Sequence, residues 1–365
     1  MMRRLLTWLV SGLLLLPAAS WAHDALQPQD GDVELHDFAL QSGEHIPLLK
    51  LHYTTLGTAR RDAAGKVTNA VLLLHGTTGT GKGYLAPTLA DNLFRPGQPL
   101  DVKRYFIVLP DGIGIGGSTK PSDGLHAHFP HYGYTDQVEA QHAMLLGMGI
   151  AHVKLVSGIS QGGMQTWMWG ERFPDAMDAL VPVASMPMQI SGRNLIWRQI
   201  IIRSIRNDPA WMGGDYDPAH PPTLWMQTAA PLFALMVGNP EKLQALGPDR
   251  AKTLAAYDDL VAQYRTRDAN DYLYDFESSA DYDPAGAVDR IKAPMLAINF
   301  ADDAVNPVQF TATRQTIMHL KSGRLVVLPG GESGYGHAGI FHAELWGPAM
   351  AKFLHDLPGW QVAAR

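Results

Sequence analysis

Six short, unbroken apolar runs constrain this chain more than any other feature. They are Ala70 to Leu74, Tyr105 to Leu109, Lys154-Leu155-Val156, Ala179 to Ala184, Met295 to Ile298 and Arg324 to Leu328. A strand exposed on one face would alternate apolar and polar residues, whereas these runs are apolar at nearly every position. Such strands belong in a parallel sheet covered on both faces, with helix-length segments between them supplying the cover. Ahead of them, residues 33–40 and 48–56 alternate in short β-prone stretches such as Leu49-Lys50-Leu51-His52-Tyr53, the pattern of an opening antiparallel pair.

Between about residues 186 and 288 the strand rhythm stops. Leu195, Ile196, Gln199, Ile200 and Arg203 follow helical spacing, residues 222–237 and 249–264 also read as helices, and Pro209, Gly213-Gly214, Pro218 and Pro221-Pro222 punctuate them. Because the strands resume beyond it, this stretch is expected to be a helical cap inserted into one domain spanning 23–365. The expected class is therefore α/β: a mostly parallel central sheet flanked by helices, with a helical cap insertion.

Gly158-Ile159-Ser160-Gln161-Gly162 lies directly after the run at 154–156 and before a helical stretch from Gly163 to about Arg172. This strand–turn–helix setting is what a G-x-S-x-G nucleophile elbow needs. The serine sits on a tight turn that lifts its hydroxyl out of the sheet, and the flanking glycines remove Cβ atoms that would collide there. A serine is a weak nucleophile until a base, itself held by an acid, takes its proton. Sheets with such an elbow carry the three groups in the order Ser, acid, His, on loops at strand C-termini. Asp302 and Asp303 follow the run 295–298, and His337 follows the run 324–328, so the expected triad is Ser160, His337 and one of the two aspartates. The backbone N–H groups of Gln161, at the head of the helix, and of Thr77, in the loop His75-Gly76-Thr77-Thr78-Gly79, are the expected oxyanion donors.

Other motifs carry less. Gly76 to Lys82 spells G-x-x-x-x-G-K, but Gly83 stands where a phosphate loop needs Ser or Thr. Gly112 to Gly117 is Gly-rich but runs into Pro121 without a helical pattern, and His126, His128 and His131 lack an accompanying carboxylate pattern for a metal. No cofactor and no metal are expected.

Residues 1–22 have the layout of a secretory leader: Arg3-Arg4, an apolar stretch from Leu5 to Leu16 closed by Pro17, and Ser20-Trp21-Ala22 before His23. Cleavage after Ala22 and a periplasmic or secreted location are the expectation, with no stable membrane insertion afterwards. The chain has no Cys, hence no disulfide or thiolate nucleophile. Its formal charge of −6, with both signs interspersed, gives no electrostatic reason to expect nucleic acid as a partner. The expected partner is a small ester or acyl substrate, and a homodimer is compatible with the sequence.

At Ser160 the sequence resembles a known family. Ser160-Gln161-Gly162-Gly163-Met164-Gln165 is similar to the elbow of the homoserine O-acetyltransferases within the α/β-hydrolase fold. Asp208 to Tyr216 looks like that family's entry into its helical cap, and Asp303-Ala304-Val305-Asn306-Pro307 resembles its acid loop. The likeness runs from about residue 33 to 355. It implies the α/β-hydrolase fold and the triad Ser160–His337–Asp303, the position of Pro307 favouring Asp303 over Asp302. Two departures bear on substrate. Ala338 stands where the family has an Asp for the substrate ammonium, and Gln227 or a neighbour stands where it has an Arg for the carboxylate. A zwitterion in a partly dry pocket needs both partners. Together with the leader, these losses point to water as acyl acceptor, and so to a serine esterase. Transfer from CoA to an alcohol is the alternative.

Overall fold

The computed structural model describes residues 26–360, so the expected leader at 1–22 lies outside the described residues. Eight strands form one sheet in the order β1-β2-β4-β3-β5-β6-β7-β8. They are β1 (Gln29–Ala39), β2 (His45–Leu56), β3 (Ala70–Leu74), β4 (Phe106–Pro110), β5 (Leu155–Ile159), β6 (Leu180–Val183), β7 (Met295–Phe300) and β8 (Gly323–Leu328). β1 and β2 pair antiparallel through a tight turn, β2 pairs antiparallel with β4, and every other pairing is parallel.

The apolar runs explain the layering. β3 is buried at all five positions, but its side chains alternate between two cores. Leu72 and Leu74 join one core with Val138, Met144, Met164, Trp167 and Trp169. Val71 and Leu73 join the other with Leu89, Leu93, Trp346, Met350 and Phe353. The first core is roofed by α2 (Tyr134–Gly147) and α3 (Gln161–Arg172), the second by α1 (Pro87–Leu93) and the C-terminal Ala343–His355. Each fully buried Leu, Val or Ile contributes about 1.5–3 kcal/mol relative to leaving it in water, so a strand apolar on both sides is held from both sides.

Between β6 and β7 lie five α-helices: α4 (Gly192–Arg206), α5 (Met226–Val237), α6 (Pro240–Leu246), α7 (Arg250–Ala262) and α8 (Ala269–Glu277). The last two helices of the chain are α9 (Ala312–His319) and α10 (Ala343–His355). α5 begins at Met226 rather than 222, because Pro221 and Pro222 keep the chain out of the helix. Helices α4, α5 and α8 close a third apolar core around Trp197, Ile201, Ile205, Trp225, Ala229, Tyr272 and Phe276. No described helix is long and apolar enough to cross a membrane.

Candidate active site

The site forms where β3, β5, β7 and β8 deliver their C-terminal loops to one rim of the sheet. Ser160 links β5 to α3 with φ +55°, ψ −113°, a left-handed conformation that a non-glycine residue adopts only when its surroundings impose it. They do so here. A Cβ on Gly158 would lie 2.3 Å from the backbone of Gly162, and one on Gly162 would lie 2.1 Å from the carbonyl oxygen of Leu74. The elbow is thus packed backbone against backbone, and the two glycines are steric requirements.

The structure brings Ser160, His337 and Asp303 together. His337 Nε2 lies 2.8 Å from Ser160 Oγ, and its Nδ1 lies 2.7 Å from Asp303 Oδ2. All three are buried. Asp303 spends its other oxygen on its own loop, Oδ1 accepting the N–H groups of Val305 at 2.7 Å and Asn306 at 2.9 Å. The neighbouring Asp302 faces away from the imidazole. Its Oδ2 accepts from Asn239 Nδ2 at 2.9 Å and from the Gly336 N–H at 3.0 Å, tying down the loop that carries His337.

Of the expected oxyanion donors, Gln161 directly follows the serine and Thr77 lines the same cavity. Gln161 is the first residue of α3, where N–H groups lack intrahelical acceptors and the helix dipole is positive. Thr77 lies on the loop after β3. The next residue, Thr78, is strained at φ +61°. His75 anchors the start of this loop: its Nδ1 bonds the Gly76 carbonyl at 2.9 Å, and its Nε2 accepts the Gly112 N–H at 3.0 Å.

The cavity over Ser160 holds about 480 Å³ and is walled by the helices between β6 and β7. Trp197, Ala230, Phe233, Val237 and Tyr272 form its apolar side, and Ile340 and Phe341 flank His337. Two cations, Arg198 and Arg267, reach the wall, and no carboxylate side chain lines it among the described residues. Gln227, placed by sequence near the substrate, is exposed on the outer side of α5 and away from this cavity, and Ala338 does not line it either.

The discounted motifs are occupied otherwise. Lys82 Nζ pairs with Asp30 Oδ2 at 2.7 Å on the surface, and the Gly112–Gly117 loop wraps the Asp111 carboxylate. His131 stacks on Tyr274, while His128 is exposed beside Asp215.

One buried group went unseen in the sequence. Asp275 on α8 is fully enclosed, its Oδ2 accepting the Thr78 N–H at 2.6 Å and its Oδ1 accepting from Gln161 Nε2 at 3.2 Å. Burial pushes its carboxyl up, against the pull of the Thr78 N–H and the nearby His75 and Arg198. The helix itself was open to discovery. Asp268, whose side chain caps the N–H groups of Asn270 and Asp271, followed by Asp271 in the first turn is a recognisable helix start.

Residues 69–332 match the family model described as alpha/beta hydrolase fold. A homoserine O-acetyltransferase of Haloarcula marismortui is 30% identical over 321 residues, covering 77% of each chain. One of Thermobifida fusca is 35% identical over 217 residues, 55% of this chain and 56% of that protein, so the match spans little more than half of it. Among solved structures, an acetylester hydrolase from Corynebacterium glutamicum superposes with a TM-score of 0.78 at 22% identity over 89% of this chain and 95% of its own, a likeness of fold alone.

These relatives correct one expectation. The sequence pointed to ester hydrolysis with water as acceptor, but the relatives that match over most of this chain are named as acetyltransferases. The error has a physical source. Ala338 and Gln227 concern the charges on the acceptor, not the kind of acceptor, and a serine–histidine pair serves water and alcohol by the same proton transfers. The chain belongs to the α/β-hydrolase fold family, in its homoserine O-acetyltransferase-like branch.

Proposed function

We propose that this protein is an O-acyltransferase that carries an acyl group from a CoA thioester to an alcohol through an acyl-enzyme on Ser160. The observation that carries the reading is the likeness to homoserine O-acetyltransferases along most of the chain. The geometry of the site supports it.

Ser160 Oγ attacks the thioester carbonyl while its proton passes to His337 Nε2, 2.8 Å away. Asp303, bonded to Nδ1, holds the ring in the tautomer that can accept this proton and stabilises the imidazolium that forms. The developing oxyanion turns towards the N–H groups of Gln161 and Thr77. Collapse expels the CoA thiolate, which takes the proton from His337, and leaves the acyl group on Ser160. The acceptor hydroxyl then gives its proton to His337 as it attacks the acyl carbonyl. The second tetrahedral intermediate releases the ester and returns the proton to Ser160. Water competes for the acyl-enzyme, and the apolar wall of Trp197, Phe233, Val237 and Tyr272 over the serine favours an organic acceptor.

The acceptor's class follows from the cavity wall. An ammonium would find no carboxylate there, whereas Arg198 and Arg267 offer positive charge, so the acceptor is an alcohol without an ammonium group. The test is thiol release from acetyl-CoA with 4-hydroxybutyrate or with homoserine as acceptor, beside Ser160→Ala. Release that depends on the alcohol, is faster with 4-hydroxybutyrate and vanishes in Ser160→Ala is expected. Release unaffected by any alcohol would overturn the reading. Residues 1–22 have the layout of a secretory leader, and N-terminal sequencing of the protein from cell fractions tests export: a cytoplasmic chain that keeps them is expected, and a periplasmic chain beginning at His23 would overturn CoA as the donor.

A further inference from the structure

Asp275 is a carboxylate with no exposed surface and no cation within salt-bridge distance among the described residues, on a helix outside the triad and its loops. A charge so placed is costly unless its lone pairs are satisfied. Here both oxygens are used, and both partners adjoin the expected oxyanion donors. Oδ2 takes the N–H of Thr78, next to the expected donor Thr77, and Oδ1 takes the side-chain amide of Gln161, whose backbone N–H is the other expected donor. Thr78 is the one residue of its loop forced to positive φ, a non-glycine conformation that relaxes unless something holds it. Its bond to Asp275, at 2.6 Å, is the hold.

From this geometry we infer that Asp275 is a positioning residue that clamps the oxyanion loop to the elbow from the helical insertion, so that Thr77 and Gln161 present their N–H groups to one oxygen. The inference rests on the acyl-enzyme reading above. It makes the clamp a matter of acceptor geometry rather than charge. Gln161 Oε1 is buried without a partner. An asparagine at 275 could therefore keep its oxygen on the Thr78 N–H and turn its amide to that Oε1, the Gln161 side chain reversing its end. A leucine of similar size could do neither.

The experiment follows the acylation half-reaction alone, as the p-nitrophenolate burst from p-nitrophenyl acetate, in wild type, Asp275→Leu, Asp275→Ser and Asp275→Asn. Removing an oxyanion donor outright costs about a hundredfold to a thousandfold in rate. Misplacing one is expected to cost about tenfold to a hundredfold in the acylation rate of the Leu and Ser variants, with KM within about twofold, and Asp275→Asn should recover most of that loss. A fluorophosphonate that titrates Ser160 one-to-one counts folded sites, so a fall in rate per titrated site is not lost protein. Leu and Ser variants that acylate at the wild-type rate per site would overturn the inference. So would a KM effect alone, or an Asn variant as slow as Leu. If neither apolar nor short variant folds, amide exchange of the native protein decides: a Thr78 N–H protected as strongly as the strands supports the clamp, and one that exchanges freely sinks it. Failure of the acyl-enzyme reading looks different, since Ser160→Ala would then keep its burst and the fluorophosphonate would not label wild type.

Discussion

Two adjacent aspartates, Asp302 and Asp303, show how much one bond direction decides. Both are acidic, both follow β7, and both serve the His337 loop, yet only Asp303 meets the imidazole. Asp303→Asn is expected to lower kcat by about 10⁴-fold, because the amide would present the wrong group to Nδ1 and favour the wrong tautomer. Asp302→Asn keeps an acceptor oxygen for Asn239 and Gly336 and loses only its charge, a difference of about 1 kcal/mol, so its kcat should stay within about tenfold of wild type. Steady-state kinetics on the pair checks this, and equal losses would mean that the histidine loop, not the triad acid, limits the reaction. Sequence order alone could not separate the two residues, since both satisfy Ser–acid–His. Asp275 was less legible still: its partners lie 197 and 114 residues away, and nothing local marks a helix-borne aspartate as the one that reaches a distant loop.

Elements were easier to read than contacts. The apolar runs marked the parallel strands because burial on both faces removes the alternation that polar residues would otherwise impose. The elbow could be read because its glycines answer a local steric demand. Gly162→Ala should therefore destabilise the fold by about 3 kcal/mol or more, since the new Cβ meets the Leu74 carbonyl and neither strand nor helix can retreat. Loss of soluble protein or a large fall in melting temperature would register it. The far end of α3 carries a different strain. Glu171 is buried with Oε1 unpartnered, and burial pushes its carboxyl up to about 8, against the fields of Arg290 and Arg172. From the ordinary glutamate range near 4.5 up to about 8, the folded state holds a proton that the unfolded chain has released. Stability accordingly falls as pH rises through that window and levels off above it. Glu171→Gln should flatten this slope in denaturant titrations between about pH 5 and pH 9, and an unchanged slope would place the titration elsewhere.

At the scale of the whole molecule, the described residues form three apolar cores, two against the sheet and one among the helices of the insertion. Ile201→Ala, in the third core, should cost about 2–5 kcal/mol as a large-to-small core change. Hydrogen exchange should show it first in α4 and α5, with β3 and β5 still protected. Deprotection of all elements together would mean that insertion and sheet open as one unit. The distinction between hydrolysis and transfer lies at this scale, and it could not be read from motifs. A serine–histidine–aspartate triad can serve either reaction, and in the proposed reading the wall that the insertion lays over Ser160 selects the acceptor.

The reacting groups are divided by that same insertion. Ser160 precedes it, while Asp303 and His337 follow it, and the exposed loop at 217–221 lies between. Cut there, the chain becomes two pieces, one with β1 to β6 and the nucleophile, the other with β7, β8, the base and its acid. Neither piece alone can acylate, because the proton has nowhere to go in the first and no hydroxyl to leave in the second. The relay is rebuilt only when β6 rejoins β7, α10 rejoins α1, and α5 and α8 repack on α4, which makes turnover by co-expressed halves a readout of that whole reassembly.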